Sequence, residues 1–337
     1  PLPEVTAPAR NPERVVAAPV TPAPVMPPKA AVAPVAAPVS APVMDPVFTA
    51  LATTQGGTAV VVEANALRNT PAGQLAVECF LKAREQDGDE NPIEKLRDEA
   101  RVDVTRDLDR VAIMDEGVVL TGHFAQARWD RLMTRDEVPR TYGTKATVYE
   151  RPDRIGPDGR RYPSRSSEAI ASWGDNLLYV GDKGMDRTKQ VIDTLEGRVQ
   201  VPAPVLTPDQ AYGEIYGVIS GKHVAELLPF GAKALADRLP ELMHHVELHV
   251  DAARDVRVSA ELKGVAPENV EELAASIEAG LELVREKAKK RNPLMAKFLE
   301  GVRLVRSGSQ LRVEAEVPLA TLEKELAWCR DQRTANR

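Results

Sequence analysis

The sequence predicts an α+β protein made of two tandem β-α-β-β-α-β-β-α modules with antiparallel sheets, preceded by a segment that builds no core. Two observations predict this fold class. From residue 47 onward, short apolar runs of strand length alternate with stretches of helical periodicity, and the same order of elements occurs twice. Residues 1–46, in contrast, hold 13 of the 27 prolines and no aromatic residue.

The N-terminal segment, residues 1–46, repeats the triplet Ala-Pro-Val five times. Proline fixes φ and lacks a backbone donor, and Ala and Val offer little surface to bury, so such a segment forms no packed core. A polyproline II chain of this length would reach on the order of 140 Å. We therefore expect a disordered or polyproline II tether. Because a preformed helix loses little entropy on docking, the same segment also suits binding along another subunit.

The first module is predicted to span residues 47–197. Runs rich in Val, Ile and Leu that are bounded by turn residues predict strands, and apolar residues at helical spacing predict helices. The strands are expected at 58–63, 109–115, 117–123, 145–150, 168–173 and 177–181, and the helices at 71–100 (broken near Gly88 and Pro92), 125–134 and 185–196.

The second module is predicted at residues 210–337, after a linker at 198–209 that contains a further Ala-Pro-Val triplet. The clearest helix of this module is 267–290, because its apolar residues recur every three or four positions and Pro267 suits its first turn. The strands are expected at 213–219, 245–251, 255–262, 302–306 and 310–317, and the helices at 222–239, 267–290, 293–300 and 318–330.

Composition and charge argue against two classes of function, nucleic-acid binding and a membrane-spanning role. Charged residues make up 28%, aromatic residues only 4%, and the formal net charge is −6. Residues 1–46 are neutral, so the body carries the negative charge, which argues against nucleic-acid binding, where a basic surface supplies most of the affinity. No run approaches the ~20 apolar residues of a membrane-spanning helix.

The chain begins with Pro1 rather than Met, from which we expect an upstream signal sequence or anchor that has been removed or is not shown. Together with the tether, this predicts an extracytoplasmic protein that is periplasmic or envelope-associated and close to a membrane through that upstream segment. The alternative is a cytosolic protein with a disordered tail.

The two cysteines, Cys79 and Cys329, each continue an apolar stripe at helical spacing. Both are interpreted as small buried hydrophobic residues. A disulfide between the two modules is the alternative that the pattern leaves open.

The best chemical candidate is the row His245-x-Glu247-x-His249 on a predicted strand. Strand periodicity places the three side chains on one sheet face, and imidazole with carboxylate suits Zn²⁺ or a related ion. Alternate residues lie about 6.5–7 Å apart along a strand, so all three would have to lean inward to reach one ion. The competing interpretation is a solvated sheet face.

Other signatures of catalysis are missing from the sequence. It contains no Gly-rich phosphate loop, no paired CxxC motif and no dinucleotide fingerprint after a strand. We therefore expect no cofactor and no enzymatic activity. The rival hypothesis is a metal-dependent or hydrolytic enzyme centred on His245, Glu247 and His249.

A second candidate surface combines an aromatic residue with arginines, the residue types enriched at interface hot spots. Trp173 lies beside a turn between two strands, and a Gly/Pro-rich connection at 151–165 precedes it. We predict that these residues bind a protein partner; the alternatives are a Trp that covers the sheet edge and a solvated hairpin tip. The arginines of this connection are Arg151, Arg154, Arg160, Arg161 and Arg165.

Two stretches resemble segments of uncharacterised bacterial envelope proteins that carry duplicated α+β modules behind a Pro/Ala-rich tether. They are residues 106–112 (RDLDRVA), before a predicted hairpin, and 177–182 (LLYVGD), before a predicted helix. The resemblance covers residues 55–197 and reaches the second half through internal repetition, but it implies no activity. The sequence as a whole predicts a non-catalytic scaffold, accessory subunit or binding module of a larger envelope assembly.

Overall fold

One antiparallel sheet of twelve strands organises the fold of the computed structural model. The structure describes residues 45–54, 57–87, 92–133, 137–151, 154–155, 157, 160–162, 169–200, 203–227, 233–291, 293–308 and 310–327. Residues 44–337 belong to one compact unit.

Fourteen strands are present in the described part of the chain. They are β1 (Ala59–Val62), β2 (Leu108–Met114), β3 (Gly117–Gly122), β4 (Val138–Tyr142), β5 (Ala146–Glu150), β6 (Arg154–Ile155), β7 (Arg161–Tyr162), β8 (Ala169–Trp173), β9 (Leu177–Gly181), β10 (Ile215–Ser220), β11 (His245–Asp251), β12 (Val256–Lys263), β13 (Arg303–Ser307) and β14 (Gln310–Val317). The twelve-stranded sheet has the order β13-β14-β12-β11-β10-β1-β2-β3-β9-β8-β5-β4, and β6 pairs with β7 in a separate ribbon.

The helices lie between these strands and on both faces of the sheet. They are α1 (Pro46–Leu51), α2 (Ala64–Arg68), α3 (Pro71–Asp87), α4 (Pro92–Asp98), α5 (Met185–Leu195), α6 (Gly221–Leu227), α7 (Lys233–Leu242), α8 (Val270–Arg291), α9 (Pro293–Glu300) and α10 (Leu319–Glu325). None of the described helices is long and apolar enough to span a bilayer.

Different helices pack on the two faces of the sheet. We call the face on which Val61 and Tyr179 pack against α5 and α1 the α5 face. The opposite face is the α8 face, where Leu262 and Leu311 pack against Leu273 of α8. Directly opposite residues of antiparallel strands point to the same face. The second half of the sheet is therefore apolar on the α8 face and polar on the α5 face.

The expected antiparallel α+β fold is confirmed, but the expected pair of separate sheets is replaced by one sheet. The reason is that β1 pairs along its whole length with β10, from Ala59 opposite Val218 to Val62 opposite Ile215. One apolar cluster consequently contains residues of both halves, including Val61, Tyr216 and the fully buried Leu206 of the predicted linker.

The body also starts earlier than predicted. Asp45 caps α1 by accepting a hydrogen bond from the backbone N–H of Val47 at 2.8 Å, and Pro46 occupies the first turn. The five residues of α1 that follow, from Val47 to Leu51, are buried. The helix was missed because a six-residue apolar run beside a proline-rich segment carries no helical periodicity.

Three other predicted elements differ from the structure. The helix expected at 125–134 is only a 3₁₀ turn at Trp129–Arg131, because Trp129 turns inward and packs edge-on against Phe124 with ring centroids 5.2 Å apart. The helical stretch 222–239 is two helices, α6 and α7. The last predicted helix extends to residue 330, whereas α10 ends at Glu325 and the chain from 328 onward lies outside the described residues.

Cys79, on α3, forms a disulfide bond, so its interpretation as a small buried hydrophobic thiol was wrong. The chain has two cysteines, and within one chain Cys329 is the only possible partner. Cys329 itself lies outside the described residues.

Candidate functional sites

The predicted metal row lies on β11 and faces the polar part of the α5 face. Its central carboxylate is held by two neighbours: Gln210 Nε2 donates a hydrogen bond of 2.8 Å to Glu247 Oε1, and Lys263 Nζ lies 3.2 Å from Oε2. The imidazole Nε2 of His245 is 3.9 Å from Glu247 Oε1. Glu247, on β11, therefore connects Gln210, which follows the predicted linker, with Lys263 of β12.

His249, the last member of the row, is covered rather than solvated. The ring of Tyr212 stacks on its imidazole with centroids 3.6 Å apart and planes 8° from parallel, and Nδ1 is 3.4 Å from the Tyr212 carbonyl oxygen. Burial lowers the pKa of His249 below its ordinary value, and burial also lowers the pKa of His245. Both imidazoles are thus favoured in the neutral form.

Among the described residues, no group of three or more His, Cys, Asp or Glu side chains is arranged to hold a metal ion. The row places three possible ligands on one face, as the sequence predicted, but Lys263 and Gln210 already bind the carboxylate in its centre. Metal binding by His245, Glu247 and His249 remains a prediction.

Trp173 is half-buried and belongs to the core of the first half. It packs against the cluster that contains Tyr179 and against the cluster that contains Ile192, and Lys145 Nζ lies 5.2 Å from the centroid of its ring. Its indole Nε1 is buried and has no hydrogen-bond partner among the described residues. The side chain thus contributes to packing, as in the alternative in which it covers the sheet.

Trp173 and Arg151 lie near opposite ends of strand β5. Trp173 pairs with Ala146 at one end of β5, whereas Arg151 follows Glu150 at the other end, about 17 Å from Ala146 along the strand. Arg151 Nη2 lies 3.8 Å from Glu137 Oε1. Part of the connection, including Arg165, lies outside the described residues, so a combined surface with Trp173 stays a prediction.

The other arginines of this connection fall on a small ribbon or beyond it. Arg154 pairs with Tyr162 across β6 and β7, and Arg161 pairs with Ile155. Arg160 is exposed, and Arg165 lies outside the described residues. A role for these arginines in binding a partner is untested by this geometry and stays a prediction.

The structure also brings together a group of polar side chains that no sequence motif indicates. We call Thr58, Asp115, Ser220 and His223 the junction cluster, because they meet where β1 begins and where β2 and β10 end. His223 Nδ1 lies 3.0 Å from each of Thr58 Oγ1, Ser220 Oγ and Asp115 Oδ1. The backbone N–H of Thr58 donates to Asp115 Oδ2 at 2.9 Å.

The junction cluster resembles a hydroxyl–imidazole–carboxylate triad in composition but not in geometry. A triad needs the hydroxyl at one ring nitrogen and the carboxylate at the other, so that a proton taken by the first is balanced at the second. In this cluster Ser220 and Asp115 both face Nδ1 of His223, and the carboxylate nearest to Nε2, that of Glu226, is 3.8 Å away and too distant for a hydrogen bond. Ser220 Oγ in addition accepts the backbone N–H of His223 at 3.3 Å, as an N-cap of α6 does.

The positions of Asp115 and Ser220 can be recognised in the sequence, but each is explained by a common local structure and does not indicate a site. Asp115 lies in a hairpin turn, and Ser220 stands three residues before His223 at a helix start, which are common positions for these residue types. Only the pairing of β1 with β10 brings Thr58 and Asp115 to Ser220 and His223, and this pairing spans about half of the chain.

A cavity of about 570 Å³ opens beside the row on β11. Tyr212 and His249 form one side, and Arg257, Ser259 and Glu314 contribute polar groups of both charges. Such a cavity has the size of a small-ligand site. No protein-family model, no curated protein and no solved structure matches this chain.

Proposed function

We propose that the protein is a non-catalytic binding module, accessory subunit or scaffold of an extracytoplasmic assembly in the cell envelope. The observation that carries the proposal is that the side chains suited to chemistry bind one another across the fold. In the row on β11, Glu247 bonds to Gln210 and Lys263. In the junction cluster, His223 bonds across the two halves of the sheet.

The disulfide at Cys79 supports the extracytoplasmic part of the proposal. Structural disulfides persist in oxidising compartments and are rare where glutathione and thioredoxin keep thiols reduced. The proline-rich segment before Asp45 supports the same location, because it suits a tether that holds the body away from a membrane anchor.

We further propose that the two halves are tandem modules related by duplication. The order β1-β2-β3-β9-β8 on one side of the sheet corresponds to β10-β11-β12-β14-β13 on the other. In each half the first strand leads into helices, and the last strand leads into one helix, α5 or α10. The hairpin of β4 and β5 would then be an addition to the first module.

Purification of the full chain from its native source, with thiols blocked by a maleimide at lysis, tests location and binding together. We expect Cys79 to remain unlabelled until a reductant is added and expect envelope proteins to co-purify. A chain with labelled Cys79 and only cytosolic companions contradicts the proposal. Arg160→Glu should reduce the recovery of partners, whereas Arg131→Glu, at a residue that is 58% exposed in its side chain, is the matched control.

A metal-dependent or hydrolytic enzyme remains the second candidate function, because His245, Glu247 and His249 do share one sheet face. Elemental analysis of the purified chain separates the two candidates. A binding module should carry much less than one equivalent of metal ion. About one equivalent, lost together in Glu247→Gln and His249→Phe, would favour the enzyme.

A further inference from the structure

Among the described residues, the twelve-stranded sheet ends in two edge strands, β4 and β13, which differ in their ability to pair with a further strand. At one edge, the second residue of β4 is Pro139, which has no backbone N–H to donate. At the other edge, β13 (RLVRS) contains no proline. An unblocked edge strand presents a row of backbone donors and acceptors that can bind another strand.

The hairpin of β13 and β14 fixes which backbone groups of β13 point outward. Ser307 lies opposite Gln310, and two residues connect them. Residues that flank a two-residue hairpin loop form a hydrogen-bonded pair, and the pairs alternate along the strands. The N–H and C=O groups of Val305 therefore bond to β14, whereas those of Leu304 and Arg306 face the open edge.

The side chains of β13 leave the edge open to a strand of the same sequence. Val305 is 40% exposed and lies on the polar α5 face. On the other face, Arg306 is held by Glu271 at 2.9 Å and Glu278 at 2.6 Å, both on α8, so its charge is already compensated. Leu304 packs into the core beneath α8.

We propose that β13 is a dimerisation edge, at which β13 of a second copy pairs antiparallel about a two-fold axis through Val305. This register sets Val305 opposite its copy and places Leu304 opposite Arg306 of the other chain. The outward N–H and C=O groups of Leu304 therefore bond to those of Arg306 in the other chain. No two arginines stand directly opposite each other, because Arg303 falls opposite Ser307. A register centred on Arg306 would place like charges together, which disfavours it.

The resulting assembly continues the sheet with the same face on the same side, since opposite residues of an antiparallel pair point to one face. The two copies of β13 would pair antiparallel between two chains, as β1 and β10 pair antiparallel within one chain. It holds whether or not the protein works in the envelope, so it stands apart from the proposed function.

Sedimentation velocity of the full chain over a wide range of concentration tests the proposal with three variants. We expect a monomer–dimer equilibrium that Val305→Lys weakens by about tenfold or more, because it replaces a Val–Val pair by two facing ammonium groups. Val305→Thr should retain the dimer. Val138→Lys, at a residue of the other edge strand that is 44% exposed, is the matched control and should change nothing.

Cross-linking locates the interface. In a non-hydrogen-bonded antiparallel pair the Cα atoms lie about 4.5 Å apart, within reach of a disulfide. Val305→Cys should therefore give a covalent dimer on mild oxidation with a 305–305 linkage, and Val138→Cys should not. A chain that stays monomeric at every concentration, a dimer that Val305→Lys leaves intact, or a dimer without the 305–305 linkage would each overturn the proposal.

Discussion

Gly217 stands where the two halves of the sheet meet, and the space beside it admits no side chain. A Cβ atom added to Gly217 would lie 2.3 Å from the carbonyl oxygen of Ala59 and 2.6 Å from the Cα of Val60, both in the neighbouring strand β1. Because backbone atoms occupy this space, no side-chain rotation relieves the overlap. The residue therefore fixes how closely β1 and β10 approach.

Gly217→Ala should lower the free energy of unfolding by about 1–3 kcal/mol, the usual effect of overpacking a rigid site. Gly280→Ala is the control, since nothing lies within 4 Å of an added Cβ at this position of α8, and Ala favours a helix over Gly. Urea unfolding measures both variants. An equal effect of the two substitutions would count against the tight β1–β10 junction.

The lowered pKa of His249 makes the stability of the fold depend on pH in the acidic range. Burial lowers its pKa in the folded state, so below about pH 6.5 the unfolded chain binds protons that the folded chain does not. Stability then rises with pH in this range, which means that acidification destabilises the fold. The lowered pKa of His245 acts in the same direction.

Between about pH 6.5 and 5 the unfolding free energy of the protein should fall, and His249→Phe should make this fall shallower. Phenylalanine keeps a ring beneath Tyr212 but takes up no proton. Denaturant titrations at several pH values measure the slopes. Identical slopes in the two proteins would show that His249 is not held neutral by its surroundings.

The sheet face to which a single side chain points was largely predictable, whereas the residues that it contacts were not. Alternation along β11 placed His245, Glu247 and His249 on one face, as observed. Their exposure was misjudged at His249, because Tyr212 covers it and belongs to a loop whose path no local pattern specifies. The junction cluster was missed for the same reason.

At the scale of elements, periodicity located the long helix well. The stripe predicted on 267–290 is found on α8, where Leu273 and Ala274 are completely buried, and Pro267 begins a 3₁₀ turn ahead of the helix. A repeated apolar stripe is a local property, so it can be read without knowing the partner surface. The short helices α1 and α2 span too few turns to show one.

Leu273→Ala should destabilise the protein by about 2–5 kcal/mol, since it empties a fully buried site in the core under α8. Leu283→Ala lies on the same helix, at a residue that is 49% exposed, and should change stability by less than about 0.5 kcal/mol. Thermal or urea unfolding compares the two. Similar losses would mean that α8 buries a different face from the one described.

For the whole molecule, the sequence predicted a mixed helix-and-strand fold with antiparallel strands but not the single sheet. The pairing of β1 with β10 joins segments about 150 residues apart in the chain, and strand edges carry no pattern that names their partner. The same pairing moves Leu206 of the predicted linker into a shared core. The two halves should therefore depend on each other for stability.

Hydrogen exchange of the full chain, followed by mass spectrometry close to the denaturant midpoint, tests this dependence most directly. It compares peptides from the β2–β3 hairpin with peptides from the β11–β12 hairpin, which lie in different halves. Both hairpins should lose protection together, in one cooperative step. Loss of protection in one hairpin at a denaturant concentration at which the other remains protected would contradict a sheet shared by the two halves.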